Sequence, residues 1–379
     1  MISKEVALAF PETTLDGRLT MAGILRKYWG DISKLWEASR TINGNINDYE
    51  NRVLQIADSF KAFSDYTSDD IDSIISILET RGDYMPGTTD HYRHLVKLII
   101  DCAYEGGEVL HSSLWTKVSK SAIEKMGGRR LVKSLTDDEE DRMWNWIKSK
   151  GASEFTGPEI GVILMFIFGL RNEEAGGTTW DSIRYDTNSN AVMLRVLMTL
   201  IGTSRELKTK GKTRNAHREL PSVYQVVNKL LADRKHYVKS QCDSNINLLP
   251  ICCAPNDLSK PCTTQEINLA AKKLFNTLGI NGNRWDCLID NNEDAEAIIK
   301  IEKDPTAYML RRNAATNYYA LNLSEFEIHY LMGHEIDANN NIQRSDYTNS
   351  IYMMPIVQKL EKHRFAREKY DIDLAIFNG

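Results

Sequence analysis

Residues 308–334 read YMLRRNAATNYYALNLSEFEIHYLMGH, and the chain continues to the polar stretch around Asp346-Tyr347-Thr348. Ser324-Glu325-Phe326-Glu327 has the form of a capping box, which predicts the start of a short helix. Gly333 can end that helix in the left-handed conformation, so His334 should lie just beyond a helix end. Tyr347 lies in a stretch without apolar periodicity, so the pattern does not predict an aromatic core residue there. The segment therefore combines a histidine at a helix end with a tyrosine that packing does not explain.

Arg171 is the upstream residue with the most unusual setting. It directly follows IGVILMFIFGL (160–170), a helix predicted to be buried on all sides and preceded by a capping box at residues 156–159. A guanidinium there is costly unless it meets an anion. Glu174, three residues on, could form a plain ion pair with it. Alternatively, the planar fork of Arg171 could hold two oxygens of a phosphate.

A basic stretch, RELKTKGKTRNAHR (205–218), carries six Lys or Arg residues against one Glu. Lys208, Lys210 and Lys212 alternate and would point to one face of a strand. They could form a solvated hairpin that adds affinity for a phosphate backbone, or one of them could protonate a leaving oxygen. Further on, Tyr308 and Arg311 share one helical face, where a phenol and a cation would project together.

Composition limits the class of protein. The chain of 379 residues should hold two domains, and its 42% hydrophobic content is ordinary for a globular protein. No apolar run is long enough for a membrane span and the N-terminus lacks a signal-peptide core, so we expect a cytoplasmic protein. The net charge of −5 weighs mildly against a nucleic-acid partner. The six cysteines suggest free thiols, with a zinc site at Cys242, Cys252 and Cys262 as the lesser alternative, and we expect no metal.

The pattern of elements predicts a mainly α fold with a small antiparallel sheet. We expect an N-terminal segment (1–19), a helical domain (20–112), a basic linker (113–135), a second domain (136–354) and a C-terminal helix or tail (355–379). In the second domain, strands are predicted at 178–185, 191–201 and 218–221, and helices at 223–237, 264–278 and 307–321. Residues 281–304 look like a polar excursion between helices.

The order of these residues along the chain resembles that in the tyrosine recombinase family, the phage-integrase type of site-specific recombinase. The order is Arg171, Lys208, Tyr308-x-x-Arg311, Gly333-His334 and Tyr347. GLRNEE (169–174) is similar to its G-L-R-x-x-E box, LRRNAAT (310–316) to its second arginine box and LMGH (331–334) to its L-x-G-H box. The resemblance covers roughly residues 20 to 355, because TTDHYRHLVKLIIDCAYEGG (88–107) is similar to the last helix of the family's core-binding domain.

The resemblance implies a core-binding domain and a catalytic domain that enclose duplex DNA at specific recombination sites. Tyr347 would attack the scissile phosphate and leave a 3′-phosphotyrosyl bond and a free 5′ hydroxyl, without cofactor or metal. Arg171 and Arg311 would stabilise the non-bridging oxygens, Lys208 would protonate the leaving oxygen, and His334 would donate to the phosphate. Glu174 would support the site. Further DNA contacts are expected from Arg129, Arg130, Lys210, Lys212, Arg214 and Arg312.

The function implied is integration or excision of a mobile element by a homo-oligomer, a tetramer in the synapse, with accessory DNA-bending proteins as further partners. The C-terminal tail could dock onto a neighbouring protomer or pack on its own chain. Two departures stand out: Tyr308 replaces the usual histidine of the second arginine box, and the spacing from His334 to Tyr347 is longer than the commonest pattern. A type IB topoisomerase-like enzyme and a catalytically impaired DNA-binding accessory protein remain alternatives.

Overall fold

The computed structural model describes residues 10–34, 39–80, 86–109, 130–131, 134–201, 204–209, 217–242, 244–280, 284–288, 299–303, 305–334 and 350–378. The chain forms two compact units, Met1–Leu131 with Cys287–Ile299, and Val132–Asp286 with Lys300–Gly379. Helices dominate both units and the sheets are small and antiparallel, which confirms the predicted fold class. Among the helices described, none is both long and apolar enough to cross a bilayer.

The first unit is a helical domain. Its helices in the described ranges are α1 (Met21–Lys34), α2 (Ser39–Asp48, continued by a π-helical turn Tyr49–Val53), α3 (Ser68–Thr80) and α4 (Pro86–Glu105). Their apolar faces share one core, in which Ile24, Tyr49 and Leu95 are fully buried. The Tyr49 hydroxyl donates to the carbonyl of Leu95 at 2.7 Å, so the one polar atom of that ring is satisfied.

The second unit contains most of the remaining elements. Its helices are α5 (Asp137–Lys148), α6 (Gly157–Phe168), α7 (Asn172–Gly176), α8 (Gln225–Gln241), α9 (Thr264–Thr277), α10 (Tyr308–Ala320), α11 (Glu325–Met332) and α12 (Ser350–Leu360). The predicted helices at 223–237, 264–278 and 307–321 are therefore confirmed to within a few residues. Reciprocal capping boxes start α5, α6, α9 and α11, as the Thr or Ser and Glu spacing indicates.

Helix α6 lies at the centre of this unit. Nearly all of its residues are buried, from Ile160 to Phe168, because helices and sheet pack around it. At its start, a Cβ on Gly157 would lie 1.7 Å from the carbonyl oxygen of Cys253, so only glycine allows this approach. At its end, Gly169 adopts φ +63° and turns the chain toward Arg171. The buried helix thus fixes where the first candidate site residue emerges.

The main sheet has the strand order β2–β3–β6, with β2 at Ile183–Asp186, β3 at Ala191–Val196 and β6 at Arg218–Ser222. The register pairs Ile183 with Leu194 and Leu194 with Leu220. Two short ladders join β4 (Thr199–Leu200) to β5 (Leu207–Lys208) and β7 (Cys253–Ala254) to β8 (Asp257–Pro261). The predicted strands at 191–201 and 218–221 are confirmed, as β3 with β4 and as β6. The prediction at 178–185 was right only at its end, because Trp180–Ser182 forms a 3-10 helical turn and the strand begins at Ile183.

Three further strands lie in the predicted basic linker and in the stretch 281–304, which was expected to be a polar excursion between helices. They are β1 (Arg130–Leu131), β9 (Arg284–Leu288) and β10 (Ile299–Lys303). β1 pairs antiparallel with β9, with Arg130 opposite Leu288 and Leu131 opposite Cys287. The stretch 281–304 therefore contains strands and is more than a polar excursion between helices.

The C-terminal segment packs on its own chain. Met353, Ile356, Val357 and Leu360 of α12 are buried in the core of the second unit. Beyond the helix, the ring of Phe365 stacks on Trp144 with centroids 4.7 Å apart. The Lys235 ammonium donates to the carbonyl of Ile376 at 2.9 Å, and Tyr185 and Asn378 exchange hydrogen bonds of 2.9 and 3.2 Å. The tail is thus held along its length by apolar and polar contacts in cis.

Candidate active site

Arg171 and Glu174 are joined at the start of α7. Arg171 is the N-cap residue, and its backbone N–H donates to Glu174 Oε2 at 2.9 Å. Its guanidinium donates to Glu174 Oε1 at 2.7 Å and to the carbonyl of Gly333 at 3.2 Å. The Arg171 side chain keeps 16% of its surface exposed, while that of Glu174 keeps 2%. The predicted ion pair is present, and the Arg171 side chain is more exposed than that of Glu174.

A second arginine, Arg218 at the start of β6, uses the same carboxylate. Its two terminal nitrogens donate to Glu174 Oε1 at 3.1 Å and Oε2 at 2.9 Å, and its Nε donates to the carbonyl of Leu331 at 2.8 Å. The side chain is fully buried. This bidentate geometry is the strong form of an arginine–carboxylate contact. Arg218 thus connects the start of α7 to the end of α11.

Arg311, in the first turns of α10, completes the cluster. Its side chain is 1% exposed and its Nη1 lies 3.8 Å from Glu174 Oε2. The guanidinium donates to the carbonyls of Gly169 and Met332. Three guanidiniums therefore surround one carboxylate, and further donors on each of them meet carbonyls at the ends of α6 and α11, although the buried Nε of Arg311 has no hydrogen-bond partner. Helix C-terminal ends are favourable places for positive charge.

His334 lies directly after α11, as predicted, and its ring lies against this cluster. Its backbone N–H donates to the carbonyl of His329 at 2.9 Å, and its Nε2 lies 3.3 Å from Arg311 Nη2. A guanidinium has no acceptor, so Nε2 must be the unprotonated nitrogen and the ring proton of the neutral imidazole is on Nδ1. The ring of His329 stands edge-on to that of His334, with centroids 5.6 Å apart. The geometry assigns His334 a single N–H donor, at Nδ1.

The pKa values follow from burial and from this concentration of positive charge. Burial acts to raise the pKa of Glu174, but the charges and hydrogen bonds of Arg218 and Arg171 outweigh it and lower the pKa to about 2. Partial burial, followed by the charges of Arg311 and Arg171, lowers the pKa of His334 to about 4, although the residue keeps solvent exposure. Near pH 7, therefore, Glu174 is ionised and His334 is neutral.

Arg311 is also perturbed. Burial, followed by the charge of Arg171, lowers its pKa to about 10, and Glu174 acts in the opposite direction. It stays protonated near neutral pH. The cluster is therefore a fixed region of positive potential with one accessible guanidinium, and such a site suits an anion with several oxygens.

Lys208 lies in β5 with an exposed side chain, opposite Thr199 of β4. β4 packs closely on the end of α7, because a Cβ on Gly177 would lie 2.8 Å from the Cα of Thr199. The base of the basic stretch is thus fixed to the helix that begins after Arg171. Within this stretch, the imidazole Nε2 of His217 contacts the carbonyl of Thr209, so these two residues lie close together.

Tyr308 and Arg312 form a pair at the start of α10. The guanidinium carbon of Arg312 lies 5.1 Å from the centroid of the Tyr308 ring, and Tyr308 is 47% exposed. Arg311, by contrast, is buried. Tyr308 and Arg311 therefore differ in their surroundings, since the half-exposed phenol contacts Arg312 while Arg311 is buried in the cluster.

Several predicted site residues fall outside what can be described. Tyr347 lies outside the described residues, as do Arg129, Lys210, Lys212 and Arg214, and only the backbone of Arg130 is described. Their roles stay predictions. Within the described part of the chain, no group of three or more His, Cys, Asp or Glu side chains is placed to hold a metal ion.

Sequence reasoning placed Arg218 on a strand and missed its place in the site. A signal was present, because Arg218, Leu220 and Ser222 alternate along β6 and all three are buried, while Glu219 between them is half-buried. A charged residue in phase with core positions needs a buried partner. His329 was missed as well, and nothing in the sequence singles it out from other histidines.

Replacing Gly333 with alanine should destabilise the second unit by about 3 kcal/mol. Gly333 has φ +61°, where an L side chain costs about 1 kcal/mol, and an added Cβ would lie 2.6 Å from Arg218 Nη1. Arg218 is held by three hydrogen bonds and cannot move away, so overpacking adds about 1–3 kcal/mol. Chemical denaturation monitored by tryptophan fluorescence measures the change.

Gly279→Ala is the matched control, since Gly279 also follows a helix with φ +63° but its added Cβ would meet only an arginine terminus at 3.3 Å. The following residues repeat the same backbone bond, from Ile280 to Phe275 and from His334 to His329. We expect a loss of about 1 kcal/mol at Gly279. Equal losses at both positions would contradict the close packing of Gly333 on Arg218.

Comparison with known proteins gives a clear result at the level of structure. No protein-family model and no curated protein matches the sequence. Among solved structures, the Tn1549 transposon integrase in complex with transposon right end DNA superposes with a TM-score of 0.61 at 12% identity, covering 88% of this chain and 99% of that one. A lambda integrase dimer bound to a COC′ core site gives a TM-score of 0.57 at 14% identity, covering 98% of this chain and 84% of that one.

A lambda integrase tetramer bound to a Holliday junction is also similar, with a TM-score of 0.56 at 13% identity, covering 94% of this chain and 80% of that one. At such identities the likeness establishes the fold, and it extends over nearly the whole chain. The similarity that the sequence motifs indicated is thereby confirmed. This chain has the fold of the integrases of the tyrosine recombinase family.

Proposed function

We propose that this protein is a site-specific DNA recombinase that cleaves and rejoins strands through a 3′-phosphotyrosyl intermediate formed by Tyr347. The observation that carries the proposal is the cluster of Arg171, Arg218 and Arg311 around Glu174 with His334 beside it. An arrangement of this kind has more positive than negative charge and holds it rigidly. It is suited to the charge that develops on a phosphate oxygen during displacement.

In this proposal, the exposed part of Arg171 binds the scissile phosphate first. Arg311 is buried, so it stabilises the bound phosphate by its charge. It contacts the phosphate directly if a phosphate oxygen takes the place of His334 at Arg311 Nη2. His334 is a further donor to a non-bridging oxygen. The Tyr347 phenol then releases its proton to water as its oxygen bonds to phosphorus and the bond to the 5′ oxygen breaks, and Lys208 protonates that leaving oxygen.

Partners and setting follow from the same proposal. The related integrases were solved on DNA, as a dimer and as a tetramer in the case of lambda integrase. We infer that this chain binds duplex DNA at specific sites and works as a homo-oligomer, a tetramer when two sites are paired. Integration or excision of a mobile element is the role that fits this activity. Accessory DNA-bending proteins are included in the proposal as further partners.

The proposal is tested with duplexes that carry a nick just downstream of the scissile phosphate, so that the short 5′-hydroxyl fragment is lost after cleavage. A panel of such duplexes taken from the DNA flanking the gene is incubated with the protein and run on a denaturing gel. We expect a covalent protein–DNA band from one of them, and no band with Tyr347→Phe. A band that survives in Tyr347→Phe would rule out this nucleophile.

The role of Lys208 has its own test. Lys208→Ala should lower the rate of adduct formation by about 10²-fold, because the 5′ oxygen is a poor leaving group without a proton. A substrate with sulfur in place of that oxygen needs no general acid, so it should restore the rate in Lys208→Ala. Lys210→Ala and Lys212→Ala are compared in the same way. Restoration in one of these variants instead would move the role to that lysine.

Two sites on one plasmid separate the proposal from the nicking and closing alternative. A recombinase should yield a rearranged product from two sites, whereas a type IB topoisomerase-like enzyme should relax supercoils and give no such product. Binding to DNA without any covalent band across the panel would instead indicate an accessory protein.

A further inference from the structure

Arg218 is the most completely buried charged group of the site. Its side chain has no solvent exposure, and the three hydrogen bonds to Glu174 and Leu331 fix the guanidinium plane. Because it is covered on all sides, it cannot itself touch a DNA phosphate. Whatever it contributes to the reaction must pass through its neighbours.

Those neighbours are the groups that aim Arg171. Glu174 Oε1 accepts from both Arg171 Nη1 and Arg218 Nη1, and Oε2 accepts from the Arg171 backbone and Arg218 Nη2. With two donors on each oxygen, the carboxylate has a single orientation. Arg171 must then lie where it also meets the carbonyl of Gly333 at 3.2 Å. The direction of the exposed guanidinium thus depends on a residue that it does not contact.

A second link runs through the end of α11. The Nε of Arg218 holds the carbonyl of Leu331, and its Nη1 fills the space in which a side chain at residue 333 would lie. Gly333 and His334 follow directly. Arg218 therefore fixes two segments together, the one that carries Arg171 and the one that carries His334.

We propose that Arg218 is a positioning residue, which orients Arg171 through Glu174 and holds the Leu331–His334 segment at the distance that the phosphate requires. The inference rests on the proposed function. The alternative is that Arg218 only stabilises the fold, as many buried ion pairs do. The two differ in what happens to DNA cleavage when the protein remains folded.

Arg218→Met is the principal variant, because it keeps much of the volume and leaves Glu174 with Arg171 and Arg311. We expect its rate of adduct formation to fall by about 10–100-fold at saturating DNA, as for other residues that orient a reactive group. DNA affinity, measured in a Tyr347→Phe background, should stay within about 3-fold of the parent, since Arg218 contacts no DNA. Arg218→Lys keeps the charge without the fork and should recover only part of the rate.

Arg184→Met is the matched control. Arg184 in β2 also pairs with a carboxylate of β6, Glu219, at 3.1 Å, but it lies one-third exposed and away from the cluster. Arg218→Met removes an arginine–glutamate pair between β6 and α7, and Arg184→Met removes one between β2 and β6. Adduct formation by Arg184→Met should match the wild type.

A pH profile adds a readout that a purely structural role does not move. The charged groups facing Glu174 are Arg171 on α7, Arg218 on β6 and Arg311 on α10, with His334 beyond them. Removing Arg218 takes away the charge that contributes most to keeping Glu174 ionised, so its pKa rises. Adduct formation by Arg218→Met should then fall as the pH is lowered from 7 to 5 more steeply than in the wild type or Arg184→Met.

The outcomes are distinct. A wild type without an adduct on any duplex would overturn the proposed function and this inference with it. An active wild type alongside an Arg218→Met variant that is folded, binds DNA and cleaves at the wild-type rate would overturn the inference alone. If Arg218→Met does not fold, Arg218→Lys decides, and a folded Arg218→Lys with the wild-type rate and pH profile would also overturn it.

Discussion

Replacing Arg171 with lysine should reduce the single-turnover rate of covalent adduct formation by about 10²–10³-fold. Lysine keeps the charge but loses the planar fork, which joins Glu174 Oε1 to the carbonyl of Gly333 in a side chain that is partly exposed. A compact ammonium can satisfy the carboxylate or the phosphate, but it cannot span both with fixed geometry. The measurement is the rate of band formation on a denaturing gel at saturating DNA.

Arg184→Lys is the control, as it makes the same substitution at an arginine–carboxylate pair outside the cluster. It should leave the adduct rate unchanged and alter the free energy of unfolding by less than about 1 kcal/mol. An Arg171→Lys enzyme that cleaves within a few-fold of the wild type would show that the exposed guanidinium does not bind the scissile phosphate.

Replacing Glu174 with glutamine should lower the free energy of unfolding by about 3–5 kcal/mol and abolish detectable cleavage. The substitution keeps the shape but removes the carboxylate that lies among three buried or nearly buried guanidiniums. Their mutual repulsion is then uncompensated. Glu219→Gln, which breaks the partly exposed pair with Arg184, should cost less than about 1 kcal/mol.

The effect has a defined pH dependence. The pKa of Glu174 lies at about 2 in the folded protein, below its ordinary value of 4.5, so the ionised carboxylate stabilises the native state at every pH above about 4.5. That contribution is lost as the pH falls from about 4.5 toward 2. The stability difference between wild type and Glu174→Gln should therefore be constant from pH 7 to 5 and shrink below it. Denaturation curves at several pH values measure this difference in the free energy of unfolding. A difference that grows as the pH falls would contradict the lowered pKa of Glu174.

Much of the fold could be predicted because its signals are local. Capping boxes, a helix apolar on all sides and a glycine before His334 each depend on a few neighbouring residues, and the structure contains them at the predicted places. The position of His334 directly after the end of α11 follows from the same local rules.

The centre of the site could not be predicted in the same way. Glu174 was expected to pair with Arg171 or to support the site, yet its fully buried partner Arg218 comes from a strand 44 residues away. Which carboxylate a buried arginine meets depends on how helices and strands pack, and no short pattern records it. The pairing of Tyr308 with Arg312 likewise depends on side-chain directions at a helix start, which the shared face of Tyr308 and Arg311 did not reveal.

The carbonyls that hold the arginines have a consequence for how the protein is made. Three of these hydrogen bonds join residues that are far apart along the chain. Arg171 and Gly333 are 162 positions apart, Arg311 and Gly169 are 142 apart, and Arg218 and Leu331 are 113 apart. Closing such long loops is slow, and it requires both partners to be present. A growing chain that has not yet passed residue 334 thus lacks half of the acceptors for its guanidiniums. We expect the cluster to form only after residues 331–334 have been synthesised, because they supply these late acceptors.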